Sequence, residues 1–326
     1  MKKLYPLKFK PIFKEKIWGG TKIKTKLNKD FSPLSNCGET WELSAVQGNI
    51  SEVANGPLAG QLLDSLLEQR PEEILGKRVA KQFGTEFPLL IKFLDAHEDL
   101  SVQVHPNDEL AKARHNGFGK TEMWYILQAD EGASLIAGFN RPLDKESYKS
   151  YFEEGKLSEI LNRVEAEAGD VFYIPAGRIH TIGKGILLAE IQQTSDLTYR
   201  IYDFDRVDSD GNKRELHTEE AIDALDYTYI DDYKTQYTVV KDQRSKLVES
   251  PYFMTNKFEI STDHSLDYTQ LDSFAVFIFT KGSGEIRYED GVETYSLGDV
   301  VLVPASLGDV QIMPSEQSAF LEVYMP

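Results

Sequence analysis

Four side chains between positions 103 and 180 have the types and the spacing of a metal site. Gln103 and His105 form a Q-x-H triplet in an alternating run, and alternation on a strand places both side chains on one face. Glu122 opens a second strand-like run, which is apolar and aromatic. His180 ends a segment that begins at Gly169 and has the pattern G-x5-P-x-G-x2-H. Two imidazoles, one carboxylate and one amide oxygen suit a borderline divalent ion with a position open for water or substrate.

Composition and charge limit the class of protein. With 326 residues, 41% hydrophobic and 27% charged, the chain can form one large or two ordinary globular domains. The net charge of -17 disfavours nucleic acid and anionic membranes as partners, so an anionic substrate needs a local cluster of Lys and Arg. The single cysteine, Cys37, excludes an intramolecular disulfide and a Cys-rich zinc site. Lysines interrupt the apolar runs at the N-terminus and no stretch approaches the ~18 apolar residues of a membrane span, which predicts a cytoplasmic protein.

Apolar spacing predicts three helical insertions in a chain that otherwise alternates as strands do. These insertions lie at about 61–83, where Pro71 divides two short helices, and at about 143–163 and 218–226. Asn107 or Asp108 is expected to cap a further short helix that runs through His115. The segment 1–60 is rich in Gly, Pro, Asn and Ser, and is predicted to form strands and loops.

One segment of the chain is echoed later in the sequence. Residues 169–176 and 298–305 both have the pattern G-D-V, three apolar residues, P-A. The first copy continues to His180, whereas the second has no histidine. The pattern predicts two similar barrels: a metal-binding catalytic domain over 1–235, which contains the helical insertions, and a second domain over 236–326 without metal.

These motifs resemble two nested families. The segment that ends in His180 is similar to the second metal motif of the cupin barrels. Seven blocks in one order resemble the shorter bacterial form of the type I phosphomannose isomerases (mannose-6-phosphate isomerases), and they lie at 17–20, 38–44, 87–96, 100–106, 119–125, 175–180 and 190–200. The resemblance implies a mainly β fold of two cupin-like jelly-roll barrels with short helical insertions in the N-terminal half.

The resemblance also implies an activity and a cofactor. One zinc ion per chain is expected on Gln103, His105, Glu122 and His180. The expected reaction interconverts mannose 6-phosphate and fructose 6-phosphate. Further pocket residues implied by the resemblance are Lys92, Lys120, Glu190 and Arg200. The sequence does not distinguish zinc from cobalt or manganese, and it leaves monomer and homodimer open.

The isomerisation requires a proton to move between C2 and C1 of the open sugar through an enediol. A C–H beside a carbonyl is a very weak acid, so a metal ion that polarises the carbonyl is chemically suited to the task. Candidates for the acid and base are Glu190, Lys120 and a metal-bound water. Arg200 keeps its proton under ordinary conditions, and is expected to orient the substrate or to stabilise the enediolate.

The phosphate and the sugar need their own contacts. Lys92, Ser101 and Lys120 are predicted to supply ammonium and hydroxyl donors to the phosphate. Ser101 lies two residues before Gln103 and so on the same face of the strand. Trp18 is predicted to line the sugar pocket.

Two other functions are compatible with the metal pattern. The first is an Fe(II) oxygenase of the cupin class, against which the Gln ligand and the surrounding Lys and Arg residues argue. The second is a non-catalytic bicupin that binds a sugar or sugar phosphate. Such a binding protein has no need to keep Glu190, Arg200 and the lysines together with a complete set of metal ligands.

Overall fold

The structure is a computed structural model that describes residues 2–207 and 211–326. Its strands form four antiparallel sheets, which we describe as a first and a second sheet pair. In the first pair, the six-stranded sheet has the order β2 (Ile12–Lys14), β3 (Glu39–Leu43), β4 (Leu89–Ala96), β11 (Ile186–Gln193), β6 (Glu122–Ala129) and β9 (Val171–Ile174). Its five-stranded sheet has the order β12 (Tyr199–Tyr202), β5 (Val102–Val104), β10 (His180–Thr181), β7 (Ser134–Phe139) and β8 (Leu161–Glu165).

The second sheet pair is built mainly from the C-terminal part of the chain. Its six-stranded sheet has the order β1 (Leu7–Lys8), β19 (Val300–Val303), β16 (Ala275–Lys281), β21 (Ser318–Tyr324), β14 (Met254–Ile260) and β13 (Ser245–Glu249). Its four-stranded sheet has the order β15 (His264–Asp267), β20 (Asp309–Pro314), β17 (Ser283–Tyr288) and β18 (Gly291–Ser296). The N-terminal strand β1 thus pairs with β19, far along the sequence. The mainly β prediction is confirmed, while the two-barrel description and the domain boundary at 235 stay predictions.

Strand alternation sends neighbouring side chains into different cores. On β4, Ile91 and Phe93 face a large apolar cluster that also contains Val276 and Leu302 of the second sheet pair. Leu94 faces the opposite way, into the core between the two sheets of the first pair. The two sheet pairs therefore pack through the outer faces of their six-stranded sheets, and β4 contributes to the interior of the first pair with every second residue.

Helices cover the ends and the outer faces of the sheets. They are α1 (Lys22–Leu27), α2 (Leu63–Gln69), α3 (Pro71–Leu75), α4 (Lys77–Phe83), α5 (Asp108–His115), α6 (Lys145–Glu153) and α7 (Thr218–Ala224). Asn107 caps α5 by accepting a hydrogen bond from the Leu110 amide at 2.9 Å, as expected. Among the described residues, every helix falls short of the length and apolarity that a bilayer crossing requires.

The structure differs from the sequence expectation at two places. Helix α1 lies within the segment 1–60, where only strands and loops were expected; Ile23 and Leu27 are buried on its inner face. In 143–163, only the first half is an α-helix, and Leu161 begins β8. Both differences have one cause: the apolar residues are buried by partners distant in the sequence, and this packing overrides local propensity.

Candidate metal centre and active site

The predicted metal ligands converge between the two sheets of the first pair. His180 of β10 lies opposite Gln103 of β5, and the Gln103 Nε2 is 3.2 Å from the His180 Nε2. Glu122, the first residue of β6 in the facing sheet, places its two carboxylate oxygens 3.5 Å from the Nε2 atoms of His105 and His180. These three groups offer ligand atoms that lie within 4.8 Å of one another. The structure thus brings together all four predicted ligands.

Both histidines present an available nitrogen to this cluster. The Nδ1 atoms of His105 and His180 lie 2.8 Å from the backbone carbonyls of Leu197 and Arg178, so each Nδ1 carries the proton and each Nε2 a lone pair. His105 Nε2 and the Glu122 Oε1 are buried without a hydrogen-bond partner, while the Glu122 Oε2 has the Lys120 ammonium 3.0 Å away. Flipping the Gln103 amide exchanges its nitrogen and oxygen, so the same position can present Oε1. The donor set fits a borderline divalent ion.

Burial also sets the charge of these groups. It lowers the pKa of His180 to about 4 and lowers that of His105 well below its ordinary value, which keeps both imidazoles neutral. Burial, and next the charge of Glu190, raises the pKa of Glu122 to about 7. Neutral imidazoles are the form that binds metals. Buried carboxylate and imidazole groups without partners are costly alone, and a cation between them offsets that cost.

The turn before His180 depends on a glycine. Gly177 has a φ of +90°, a conformation that residues with a Cβ rarely adopt. Its amide donates to the His105 backbone carbonyl at 2.9 Å, and its own carbonyl accepts from the Asp226 amide. The P-x-G turn therefore joins the two histidine-bearing segments directly.

Beside the ligands, a row of four side chains crosses the six-stranded sheet. Strand register places Trp41, Lys92, Glu190 and Trp124 next to one another on β3, β4, β11 and β6. The Lys92 ammonium lies 5.0 Å from the Trp41 ring centre and 3.4 Å from the Glu190 Oε1. The Trp124 indole donates to the Glu190 Oε2 at 3.0 Å. Glu190 is therefore held by one oxygen, while its Oε1 has no hydrogen-bond partner.

Lys120 connects this row to the metal cluster. Its ammonium lies 3.0 Å from the Glu122 Oε2 and 4.0 Å from the Glu190 Oε1. Its side chain is buried, so both carboxylates meet the same desolvated cation. Such a group can exchange protons with substrate oxygens that lie between the two carboxylates.

A cavity of about 270 Å³ opens onto these groups. The predicted residues that line it are Trp18, Lys92, Ser101, Gln103, Lys120, Glu190 and Arg200. His105, Glu122 and His180 lie beneath, with at most 1% of each residue exposed. All predicted site residues thus lie in one place.

Several lining residues were not identified from the sequence: Lys16, Glu39, Asp196, Thr198 and Arg214. Glu39 bridges Lys16 at 3.1 Å and Lys92 at 3.6 Å, and it accepts from the Trp41 indole at 2.8 Å. Burial opposes its charge, but the two lysines outweigh burial and lower the pKa of Glu39 to about 2. The block 38–44 contained the signal for Glu39, whereas nothing local marked Arg214, which lies in a charged loop.

The second sheet pair has a different interior at the corresponding places. Five strands of each six-stranded sheet and four strands of each facing sheet follow the same order, and the echoed segments contain β9 and β19. Leu266 lies opposite Val310 on β15 and β20, and Ala275 lies opposite Val303 on β16 and β19. Leu266, Val310 and Ala275 all belong to the apolar core of this pair.

Comparison with known proteins agrees with this geometry. The family model for the phosphomannose isomerase type I catalytic domain matches residues 6–137. The mannose-6-phosphate isomerase ManA of Bacillus subtilis is 40% identical over 313 residues, which are 94% of this chain and 95% of that protein. The mannose-6-phosphate isomerase of Streptococcus mutans is 36% identical over 322 residues, covering 96% and 98%.

Solved structures give the same result. A crystal structure of the Bacillus subtilis mannose 6-phosphate isomerase superposes with a TM-score of 0.88 at 35% identity, covering 98% of this chain and 99% of that one. A zinc-bound mannose 6-phosphate isomerase has a TM-score of 0.79 at 16% identity, over 98% and 99%, and this likeness concerns the fold alone. The chain belongs to the type I phosphomannose isomerase family.

Proposed function

We propose that this chain is a zinc-dependent isomerase that interconverts mannose 6-phosphate and fructose 6-phosphate. One observation carries the proposal: the buried His105, Glu122 and His180, with Gln103 beside them, adjoin Glu190 of the same cavity. The Glu190 Oε1 accepts no hydrogen bond and lies 3.4 Å from the Lys92 ammonium. The relatives that align over most of the chain are named mannose-6-phosphate isomerases. A bound divalent ion would supply a Lewis acid beside the substrate carbonyl.

Glu190 is the proposed base. Its Oε1 takes the proton from C2 of the open aldose and returns it to C1, so one carboxylate serves both steps. Trp124 fixes the other oxygen, which leaves Oε1 as the reactive atom. Lys120 exchanges protons with the substrate oxygens: O1 gains a proton as C2 loses one, and O2 then releases its own as the ketone forms.

The remaining predicted residues contact the substrate in this proposal. Lys92 shares its charge between Glu39 and Glu190, so it suits sugar hydroxyls. Ser101 offers a hydroxyl, and Trp18 offers an apolar wall to the sugar carbons. Arg200 orients the substrate. We also propose that the enzyme works in the cytoplasm, where a charged sugar phosphate is retained by the bilayer.

A coupled assay tests the proposal. Fructose 6-phosphate formation from mannose 6-phosphate would be followed before chelation, after chelation and after zinc is restored. We expect activity to disappear on chelation and to return with zinc. Calorimetric binding of mannose 6-phosphate without product would support a non-catalytic binding protein instead. Oxygen uptake with Fe(II) and no isomerisation would support an oxygenase.

A further inference from the structure

The lysines at the inner end of the cavity already have partners. Lys120 and Lys92 lie within 4.0 Å of carboxylate oxygens of Glu190, and each has a second carboxylate, Glu122 for Lys120 and Glu39 for Lys92. Lys16 pairs with Glu39. Three lysines therefore share three carboxylates, so this end of the cavity carries no excess positive charge from the protein. A doubly charged phosphate gains little there from ammonium groups that are already neutralised.

The arginines at the other end of the cavity have fewer carboxylate partners than the lysines. Asp203 accepts from Arg206 Nη2 at 2.6 Å, from Arg214 Nε at 2.8 Å and also from Arg214 Nη2, so one carboxylate serves two guanidinium groups and Arg214 keeps its Nη1 for another partner. Arg200 donates to the backbone carbonyl of Glu215 at 2.8 Å, and its buried Nε has no partner. Within the described ranges, no carboxylate oxygen lies within 4.0 Å of the Arg200 guanidinium. Among the described residues, Arg200, Arg206 and Arg214 thus surround one buried carboxylate, that of Asp203, in a chain whose net charge is -17.

Two of these arginines line the cavity itself. Arg200 lies on β12 directly opposite Gln103 of β5, so its side chain shares a face with a metal ligand. Arg214 reaches the cavity from the loop after β12, where Asp203 holds it. Arg206 does not line the cavity, and it donates instead to Asp203 and to the backbone of Asp99.

We propose that Arg214, together with Arg200, binds the phosphate of the substrate, and that Arg214 is a specificity residue for phosphorylated sugars. This assignment rests on the proposed function, because it names the end of the same cavity that receives the anion. The Arg200 guanidinium gives only its Nη1 to the Glu215 carbonyl, so it can offer paired donors to phosphate oxygens, which a single ammonium group cannot. Arg214 can add its Nη1, because Asp203 already accepts from its Nε and Nη2. The balanced lysines are then left to the sugar hydroxyls and to proton transfer.

The variant Arg214→Gln, with Lys213→Gln as its matched control, tests this assignment. Lys213 is the neighbouring cation in the same loop, 64% exposed and paired with Asp205, so the control removes the same charge without touching the cavity. We expect Arg214→Gln to raise KM for mannose 6-phosphate about 10- to 100-fold. The dissociation constant for inorganic phosphate, measured by calorimetry, should rise in parallel, while metal content and kcat change little.

Three outcomes would overturn the assignment. These are equal KM values in the two variants, an unchanged phosphate affinity in Arg214→Gln, or a loss of kcat with KM preserved. Arg214→Lys is a second variant with the charge retained; if Arg214→Gln misfolds by its melting temperature, Arg214→Lys must show the rise in KM for the assignment to stand. If the wild type had no isomerase activity, the proposed function would be wrong. The assignment of Arg200 and Arg214 would still be tested by the dissociation constant for inorganic phosphate.

Discussion

The two ring nitrogens of the buried His180 have different roles. Its Nδ1 proton is committed to the Arg178 carbonyl, and its Nε2 faces Glu122 at 3.5 Å. The second copy of the echoed segment continues without a histidine. The contribution of His180 to metal binding is therefore not duplicated elsewhere among the described residues.

We expect His180→Ala to lose bound metal and isomerase activity together, with activity falling roughly 10³-fold or more. Metal analysis of the purified variant and the coupled assay measure the two losses. His264→Ala, in the second sheet pair, is the control and should keep both. A metal-free His180→Ala protein with full activity would refute the assigned site.

Lys120→Ala tests a different role within the same cluster. Removing its ammonium leaves Glu122 and the histidines in place, so we expect metal content to be retained. Turnover should fall by about 10²- to 10⁴-fold, the usual range for a positioned proton-transfer group. Lys112→Ala, on the exposed part of α5, should behave as wild type. An unchanged rate in Lys120→Ala would remove this residue from the mechanism.

At the scale of elements, the segment after β11 positions a metal ligand. The buried Gln192 lies opposite Glu122, and its Nε2 donates to the backbone carbonyls of Gln193 at 2.9 Å and Ser195 at 2.5 Å. This turn leads to Leu197, whose carbonyl orients His105. The turn after β11 therefore holds the Leu197 carbonyl that orients His105.

We expect Gln192→Leu to weaken zinc affinity by about 10- to 100-fold, because metal ligands depend on such supporting contacts. Competition with a chromophoric chelator measures this affinity without any assay of turnover. Gln128→Leu, at the outer end of β6, is the matched control. Equal affinities in the two variants would show that the turn holds its shape without Gln192.

The pairing of β3 with β4 gives a pH-dependent contribution to stability. The pKa of Glu39 is about 2 when folded and 4.5 when unfolded, so the unfolded chain takes up the proton first as pH falls. Its stabilisation is present in full above pH 4.5 and is lost as pH falls towards 2. At pH 7 this amounts to about 3 kcal/mol of unfolding free energy.

Urea unfolding of Glu39→Gln at pH 7 and at pH 3 measures that contribution. We expect the difference from wild type to shrink by about half or more at the lower pH. Glu52→Gln, the control, removes a partly exposed partner of Lys10. It should lower the free energy of unfolding by less than about 1 kcal/mol at both pH values. If the difference in unfolding free energy between wild type and Glu39→Gln grew as pH falls, the sign of the pKa shift of Glu39 would be wrong.

At the scale of the whole molecule, the two sheet pairs share one buried interface. The ring centres of Phe87 and Phe274 lie 4.7 Å apart across it, and Asp272 accepts from the first backbone amides of α4. All three tryptophans lie in the first sheet pair or on the loop beside it, so their fluorescence reports on that half alone. These contacts predict cooperative unfolding of both halves.

Phe320→Ala removes a ring from the core between the sheets of the second pair. It should cost about 3–5 kcal/mol. If the molecule unfolds as one unit, the urea midpoint observed by tryptophan fluorescence should fall together with the midpoint from circular dichroism. A tryptophan midpoint that stays at the wild-type value would mean that the halves unfold independently.

The sequence by itself determined the features that depend on local geometry. Alternation placed Gln103 and His105 on one face of β5. The P-x-G-x2-H pattern marked the turn that precedes His180. Only the tertiary structure decided that Glu39 lies beside Lys92 and that Arg214 reaches the cavity. Those contacts depend on strand register and on loops that join distant segments, and no local pattern encodes which strands pair.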